Sequence, residues 1–343
     1  MGFLRRLLDK QGKVFEKGGA LHKLYPLWEA MDSFMYTPGQ VTPRASHVRD
    51  GLDLKRMMTA VIIGLAGCIY MAMYNTGYQA HLAIEAGAAP LANWQTRAME
   101  VLGLPFASGD WLACMVHGLL YYLPVLAVAA IVGLFWEQLF ATLRRRERAP
   151  GLFVIALLFS LSLPPTIPLW QVALGMSFGI VVAKEVFGGT GKNFLNPALA
   201  ALAFLYATYP KQMVGETAWT VVEGFTGATT MRIVAGGGIE GVHWAGTNWM
   251  QSFLGVVPGA FGATSTLACL LGAAVLIVTR VASLRIMAGA LVGMVVAAVL
   301  FNQLVGRALP LGDLSWHWHL TLGSFVFGGA RVAGLGGGPH LAG

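Results

Sequence analysis

Charge is scarce in this chain: acidic and basic side chains make up 11% of its 343 residues, less than half the roughly 25% of a soluble domain. That shortage, with 56% hydrophobic residues and a mean hydropathy of +0.64, excludes an ordinary water-soluble enzyme and points to an integral membrane protein. Cysteine is also rare. Cys68, Cys114 and Cys269 lie far apart inside apolar runs and form no CxxC pair, so neither a disulfide framework nor an iron–sulfur or zinc site is expected. A cleavable leader is not expected either, because the chain opens with charged and polar residues and its first long apolar run begins at Met57. Nucleotide-binding loops are missing too. "FGGTGKNFLNP" has Val186 and Asn193 where a phosphate loop needs glycine and a hydroxyl residue, and the glycine-rich tail from Gly334 follows no strand.

Long apolar segments are what the chain has. Runs at 57–74 and 111–140 are long enough to cross a bilayer, which takes about 20 residues. The run at 152–163 is too short and stops at "LPPTIP", where Pro164, Pro165 and Pro168 forbid a continuous helix. Further segments are expected at 169–187, 194–209, 264–278 and 286–301, and another begins at 318–327. The basic residues flank these runs. Ten of the 23 Lys and Arg fall in residues 1–56, four more form Arg144, Arg145, Arg146 and Arg148, and Arg280 and Arg285 mark a later turn. All three clusters fall on one side if residues 1–56 are cytoplasmic, which places 76–110 and 210–262 outside. No basic groove interleaved with aromatics is present, so nucleic acid is not an expected partner. "WQVALGMSFG" (170–179) and "WHLTLGSFVFG" (318–328) form a faint repeat, as in transport folds built from repeats with broken helices. The expected fold class is an all-α polytopic membrane protein, an inverted-repeat helical bundle with half-helices.

Few residues inside these segments can carry chemistry. Glu137 follows Trp136 in the second run, either solvated at the membrane surface near Arg144 or serving as an oxygen ligand or gate on a cation path. Lys184 and Glu185 pose the same choice. Asn193 and Asn196 either belong to a tight glycine turn or offer amides to a polar heterocycle. "WHWH" (316–319) puts two histidines on different helix faces and reads as interfacial aromatics with polar neighbours rather than as a metal site. Thr226-Gly227-Ala228-Thr229 is short enough to arise by chance, yet its threonines are sterically open to a modifying enzyme.

Several longer strings carry a resemblance. "FMYTPGQVTPRASHVRDGLDLKRMM", "PPTIPLWQVALGMSFGIVVAKEVFGGTGKNFLNPALA", "TGATT" and "WHWHL" closely resemble the NqrB subunits of bacterial sodium-translocating NADH:quinone oxidoreductases, from residue 1 to about residue 328. The RnfD subunits of Rnf electron-transport complexes share the membrane core and threonine motif but are unlike residues 1–56. The resemblance implies a ten-helix fold of two inverted repeats in the bacterial inner membrane, in complex with the other subunits. It implies FMN joined by a phosphoester to Thr229, attached by a flavin transferase outside the membrane. It further implies riboflavin held without covalent linkage near Asn193 and Asn196, ubiquinone reduction near the cytoplasmic side at Gly133, and sodium movement involving Glu137.

Three departures from the family pattern stand out. Leu134 replaces the second glycine of Gly-Gly-Phe-Trp-Glu, narrowing the expected quinone pocket. Gly262-Ala263 replaces Gly-Glu and loses a carboxylate. After Gly328 the chain turns to "GARVAGLGGGPHLAG", which is expected to be a truncation or frameshift that leaves the second repeat incomplete. The expected organisation is a cytoplasmic segment (1–56), a first membrane repeat (57–209), a flavin-bearing loop outside (210–262), an incomplete second repeat (263–330) and an aberrant tail (331–343). Because the chain shows no NADH site and no iron–sulfur ligands, it is expected to be an electron-transfer subunit that is not catalytic alone. A solute channel of the same repeat type, without redox chemistry, is the alternative.

Overall fold

The computed structural model describes residues 54–144, 151–189, 191–193, 195–214, 218–223, 233, 246 and 248–305. The described chain is helical apart from two strands of two residues each. Helix α1 spans Leu54–Glu85, α2 Trp94–Val101, and α3 Trp111–Arg144; among the described residues α1 and α3, at 32 and 34 residues, are the two helices long and apolar enough to cross a membrane. The expected first segment therefore runs on from Tyr74 to Glu85, and the connection that follows starts at residue 86 instead of 76. The polar residues there stay helical because the fold gives them partners. Asn75 donates to the Val257 carbonyl at 2.9 Å, and Thr76 donates to the Ala72 carbonyl at 2.7 Å.

Two close helix contacts organise this half. Gly77 on α1 faces the Cys114 carbonyl on α3, and Gly118 faces the Met73 carbonyl, so that a Cβ at either glycine would overlap backbone. Small residues of this kind let membrane helices approach where lipid offers no hydrophobic drive. Asp110 caps α3, its Oδ1 accepting from Leu112 N at 3.0 Å and Ala113 N at 3.2 Å.

Helix α4, Leu152–Leu161, has ten residues and ends at the proline run, as its sequence requires. Its freed carbonyls are not left bare. Gly262 N donates to Leu161 O at 2.7 Å and Phe261 N to Leu163 O at 3.1 Å, which is how a broken helix becomes tolerable in an apolar medium. Thr166, inside the proline run, donates to the Ala218 carbonyl at 2.9 Å. Helix α5, Leu169–Ile180, then passes into a π-helical turn, Val181–Glu185. Helix α6 spans Pro197–Thr208, starting after Asn196 rather than at residue 194, and α7 spans Pro210–Val214. The core is formed where α1, α3, α4, α5 and α6 meet, around Phe159, Leu161, Met176, Ile180, Leu202 and Leu205.

The later elements are α8 (Trp249–Leu254), α9 (Thr266–Val278) and α10 (Leu284–Val305). Helix α9 packs on α1, where a Cβ on Gly64 would lie 3.3 Å from the Gly272 carbonyl oxygen. Helix α10 shows large apolar side chains to its surroundings, among them Ile286 and Val292. Strands β1 (Ala89–Pro90) and β2 (Val222–Glu223) pair antiparallel, Ala89 opposite Glu223. The N-terminal segment up to residue 53, the arginines 145, 146 and 148, the threonine motif, "WHWH", the second copy of the repeat and the tail all lie outside the described residues.

Candidate functional site

A charged site forms where the far end of α3 meets the π-helical turn. Glu137 is buried on α3, 6% exposed, and makes an ion pair with Lys184, itself 2% exposed. Two helical turns further along α3, Arg144 reaches Glu185, its Nη1 lying 3.2 Å from Oε2, while Nη2 donates to the Glu185 carbonyl at 2.6 Å. The order of charges is reversed between the elements: acid then base on α3, base then acid on the turn. Adjacent residues do not share a helix face, so each of Lys184 and Glu185 finds a separate partner. The surface reading of Glu137, with Arg144 beside it, is therefore wrong: Arg144 is taken by Glu185, and a lysine from another element meets the buried carboxylate. The reason is the packing of α5 on α3, which no local window of sequence displays.

The surroundings hold the pair in place. Trp136 Nε1 donates to Ser177 Oγ at 2.9 Å, tying α3 to α5 next to Glu137. Gly133, one turn before Glu137, is buried where a Cβ would lie 2.7 Å from both Leu152 Cδ1 and Met176 Cε. Leu134 lies on the other side of α3, exposed, and lines an apolar groove of about 500 Å³ with Ile131, Phe135, Gln138, Leu139 and Thr142. Leu134 and Gly133 thus face different surroundings although they are neighbours in sequence.

The asparagine pair sits in the loop after the π-helical turn, where Gly188, Gly189 and Gly191 take positive φ values of 110°, 91° and 87°. Asn193 is committed locally, its Oδ1 accepting from Gly191 N at 3.3 Å and its Nδ2 donating to Leu195 O at 2.9 Å. Asn196 caps α6 through Oδ1, which accepts from Ala198 N at 3.0 Å. Its exposed amide NH2 keeps donor capacity for an incoming acceptor. Thr226 and Thr229 lie outside the described residues. Their approach does not: Val221 and Val222 are buried and Glu223 pairs with Ala89. Glu223, three residues before Thr226, is thereby fastened beside the connection that leads into Trp111. Arg144 is the last residue of the helix that Trp111 begins, about 50 Å away at 1.5 Å per residue.

A second buried polar group is not apparent from the sequence. His81 on α1 and His117 on α3 meet Nε2 to Nδ1 at 3.1 Å, while His81 Nδ1 lies 3.1 Å from the Ala107 carbonyl and 3.3 Å from Cys114 Sγ. A proton on His81 Nδ1, given to Ala107, makes its Nε2 the acceptor for His117. The signal available is an ionisable residue, His117, in the middle of an apolar run. No group of three or more His, Cys, Asp or Glu residues able to hold a metal occurs among the described residues.

Comparison with known proteins fits this arrangement. Residues 41–333 match the family described as NQR2, RnfD, RnfE. The chain belongs to this family. It is 50% identical over 328 residues to the NqrB subunit of the Na(+)-translocating NADH-quinone reductase of Azotobacter vinelandii (strain DJ / ATCC BAA-1303), covering 95% of this chain and 81% of that protein. The proteins of the same description from Pseudomonas aeruginosa (strain UCBPP-PA14) and Stutzerimonas stutzeri (strain A1501) are each 49% identical, over 328 and 329 residues, with the same coverage of both chains.

Proposed function

We propose that this chain is the flavin-carrying membrane subunit of a sodium-pumping NADH:ubiquinone reductase, working with the other subunits of that complex in the bacterial inner membrane. The observation that carries the reading is Glu137: a carboxylate buried in an apolar helix bundle and met by a lysine. Ionisable groups at such positions are costly and mark ion pathways. The near-50% identity to sodium-translocating subunits along almost the whole chain supports sodium as the ion and favours this reading over an Rnf-type subunit.

Thr229 is the covalent FMN site, joined through its hydroxyl to the phosphate. The strand that leads into the motif lies at the end of the molecule away from Arg144. With the basic clusters cytoplasmic, that end is outside, where a flavin transferase reaches it. Asn196, through its spare amide donor, and Asn193 as loop support line a riboflavin position, and Gly133 borders the ubiquinone path. Flavin supplies transfer of one or two electrons. The chain's own residues position the cofactor, keep water from the bundle and hold a carboxylate for the cation. The membrane organisation expected from the sequence, two repeats flanking an outside loop, belongs to this proposal.

The test is denaturing gel electrophoresis of the assembled complex under blue light. The wild-type band should fluoresce, Thr229→Ala should be dark, and Thr226→Ala should keep fluorescence. Fluorescence surviving in Thr229→Ala would overturn the assignment. In the same complex, Glu137→Gln should raise the sodium concentration for half-maximal quinone reduction.

A further inference from the structure

We propose that Lys184 is a built-in counter-cation, which occupies Glu137 when the site is empty and is displaced by the entering cation. The proposal rests on the reading of Glu137 as part of the cation path.

Three observations point to Lys184. The first is redundancy. The contact between α3 and the π-helical turn is already clamped by Arg144 and Glu185, two hydrogen bonds at 3.2 and 2.6 Å nearer the exposed end. A second, fully buried pair adds little to that clamp, because removing two charges from water offsets most of what their attraction returns. The second is chemistry. The Lys184 ammonium is a compact single charge on a flexible stem, a closer mimic of a small cation than the planar, forked guanidinium of Arg144. The third is place. Lys184 sits on a π-helical turn, an irregularity often found at functional sites, and Gly188, Gly189 and Gly191 follow at positive φ. The Lys184 carbonyl itself accepts from Gly189 N at 3.0 Å, so the lysine backbone is bonded directly to that glycine loop.

A buried carboxylate is costly without an opposite charge close by, and this pairing keeps one at Glu137 in both halves of a cycle. With the site empty, Lys184 neutralises Glu137. With the cation bound, that cation takes over the neutralising charge at Glu137, and Lys184 withdraws. The affinity for the cation is then set by competition: removing the lysine charge should tighten binding and slow release.

The test is the sodium dependence of quinone reduction by the assembled complex, reading half-saturation and maximal rate separately. Lys184→Gln should lower the half-saturating sodium concentration by roughly tenfold, the effect of losing one close competing charge, and should lower the maximal rate. Lys184→Arg, whose forked guanidinium holds a carboxylate through two hydrogen bonds, should raise half-saturation severalfold. Arg144→Gln, which removes a nearby charge that does not touch Glu137, should leave half-saturation within about twofold. A sodium dependence unchanged in Lys184→Gln, while Glu137→Gln raises it, overturns the lysine proposal and leaves the carboxylate reading intact. If Glu137→Gln itself leaves sodium dependence unchanged, both fall. If Lys184→Gln does not assemble, the Lys184→Arg complex decides: a half-saturation raised severalfold supports the competitor role, and one equal to wild type overturns it.

Discussion

The two ends of α3 solve the burial of polar groups in opposite ways. Near Trp111 the buried groups are neutral and hydrogen-bonded in series: Ala107 carbonyl, His81, His117. Tyr121, on the same helix, accepts from Asn93 Nδ2 at 2.8 Å. Near Arg144 the groups are ions in pairs, one fully buried and one partly open to the surroundings. The neutral end behaves as packing. It brings α1 and α3 together at Gly77 and Gly118 and buries its polar atoms, with His117 Nε2 left without a hydrogen-bond partner. The charged end keeps an expense that apolar residues of the same size would avoid. A fold selected for stability alone has no need of Glu137 and Lys184, and this is why the functional proposal rests on them.

The largest expected effect breaks the charged end. Lys184→Ala takes the paired ammonium from the buried Glu137 and should destabilise the chain by roughly 3–5 kcal/mol, whereas the double variant Glu137→Leu, Lys184→Met should recover most of that loss. Thermal unfolding of the purified complex in detergent, followed by loss of the intact assembly, checks both. A double variant no more stable than Lys184→Ala would show that the pair is structural and would blur the contrast between the two ends.

The next effect strikes the neutral end through packing rather than charge. Gly118→Val places a branched side chain onto the Met73 carbonyl and should cost about 1–3 kcal/mol or more, because backbone on the facing helix must move. It should lower stability with no change in sodium half-saturation of whatever complex survives. The smallest effect is expected at Arg144→Gln. Its side chain is 32% exposed, and an ion pair of that exposure contributes below about 1 kcal/mol. A larger loss there would mean that the outer pair carries more of the α3 contact than its exposure implies.

Much of the helical layout is legible in the sequence, because apolar length and proline placement act locally. The break after α4 at Pro164, the resumption at Leu169 and the long span from Trp111 follow from residues that no tertiary contact overrides. The sequence ends the first segment too early, at Tyr74, for a specific reason. Asn75, Thr76 and Gln79 look like the end of a membrane segment until Val257, from a distant part of the chain, is seen to accept from Asn75. The start of α6 shifts to Pro197 because Asn196 acts as its cap. Of the candidate site, the types of residue are visible in the sequence and their partners are not. The sequence offers Glu137 the company of Arg144, its nearest basic neighbour; the lysine that pairs with it is 47 positions away.

Residue order alone dictates the solvent and the breaks. Too few charges and too many long apolar runs leave lipid as the only medium in which this chain can bury its backbone, and prolines set where its helices must stop. Pairing is settled in three dimensions. Lys184 and Glu185 are neighbours in the chain yet answer to different residues, because a π-helical turn lies along two turns of α3. The choice between Arg144 and Lys184 as the partner of Glu137 depends on which helix packs where, and close packing of α5 on α3 makes it through steric fit that acts between segments far apart in sequence.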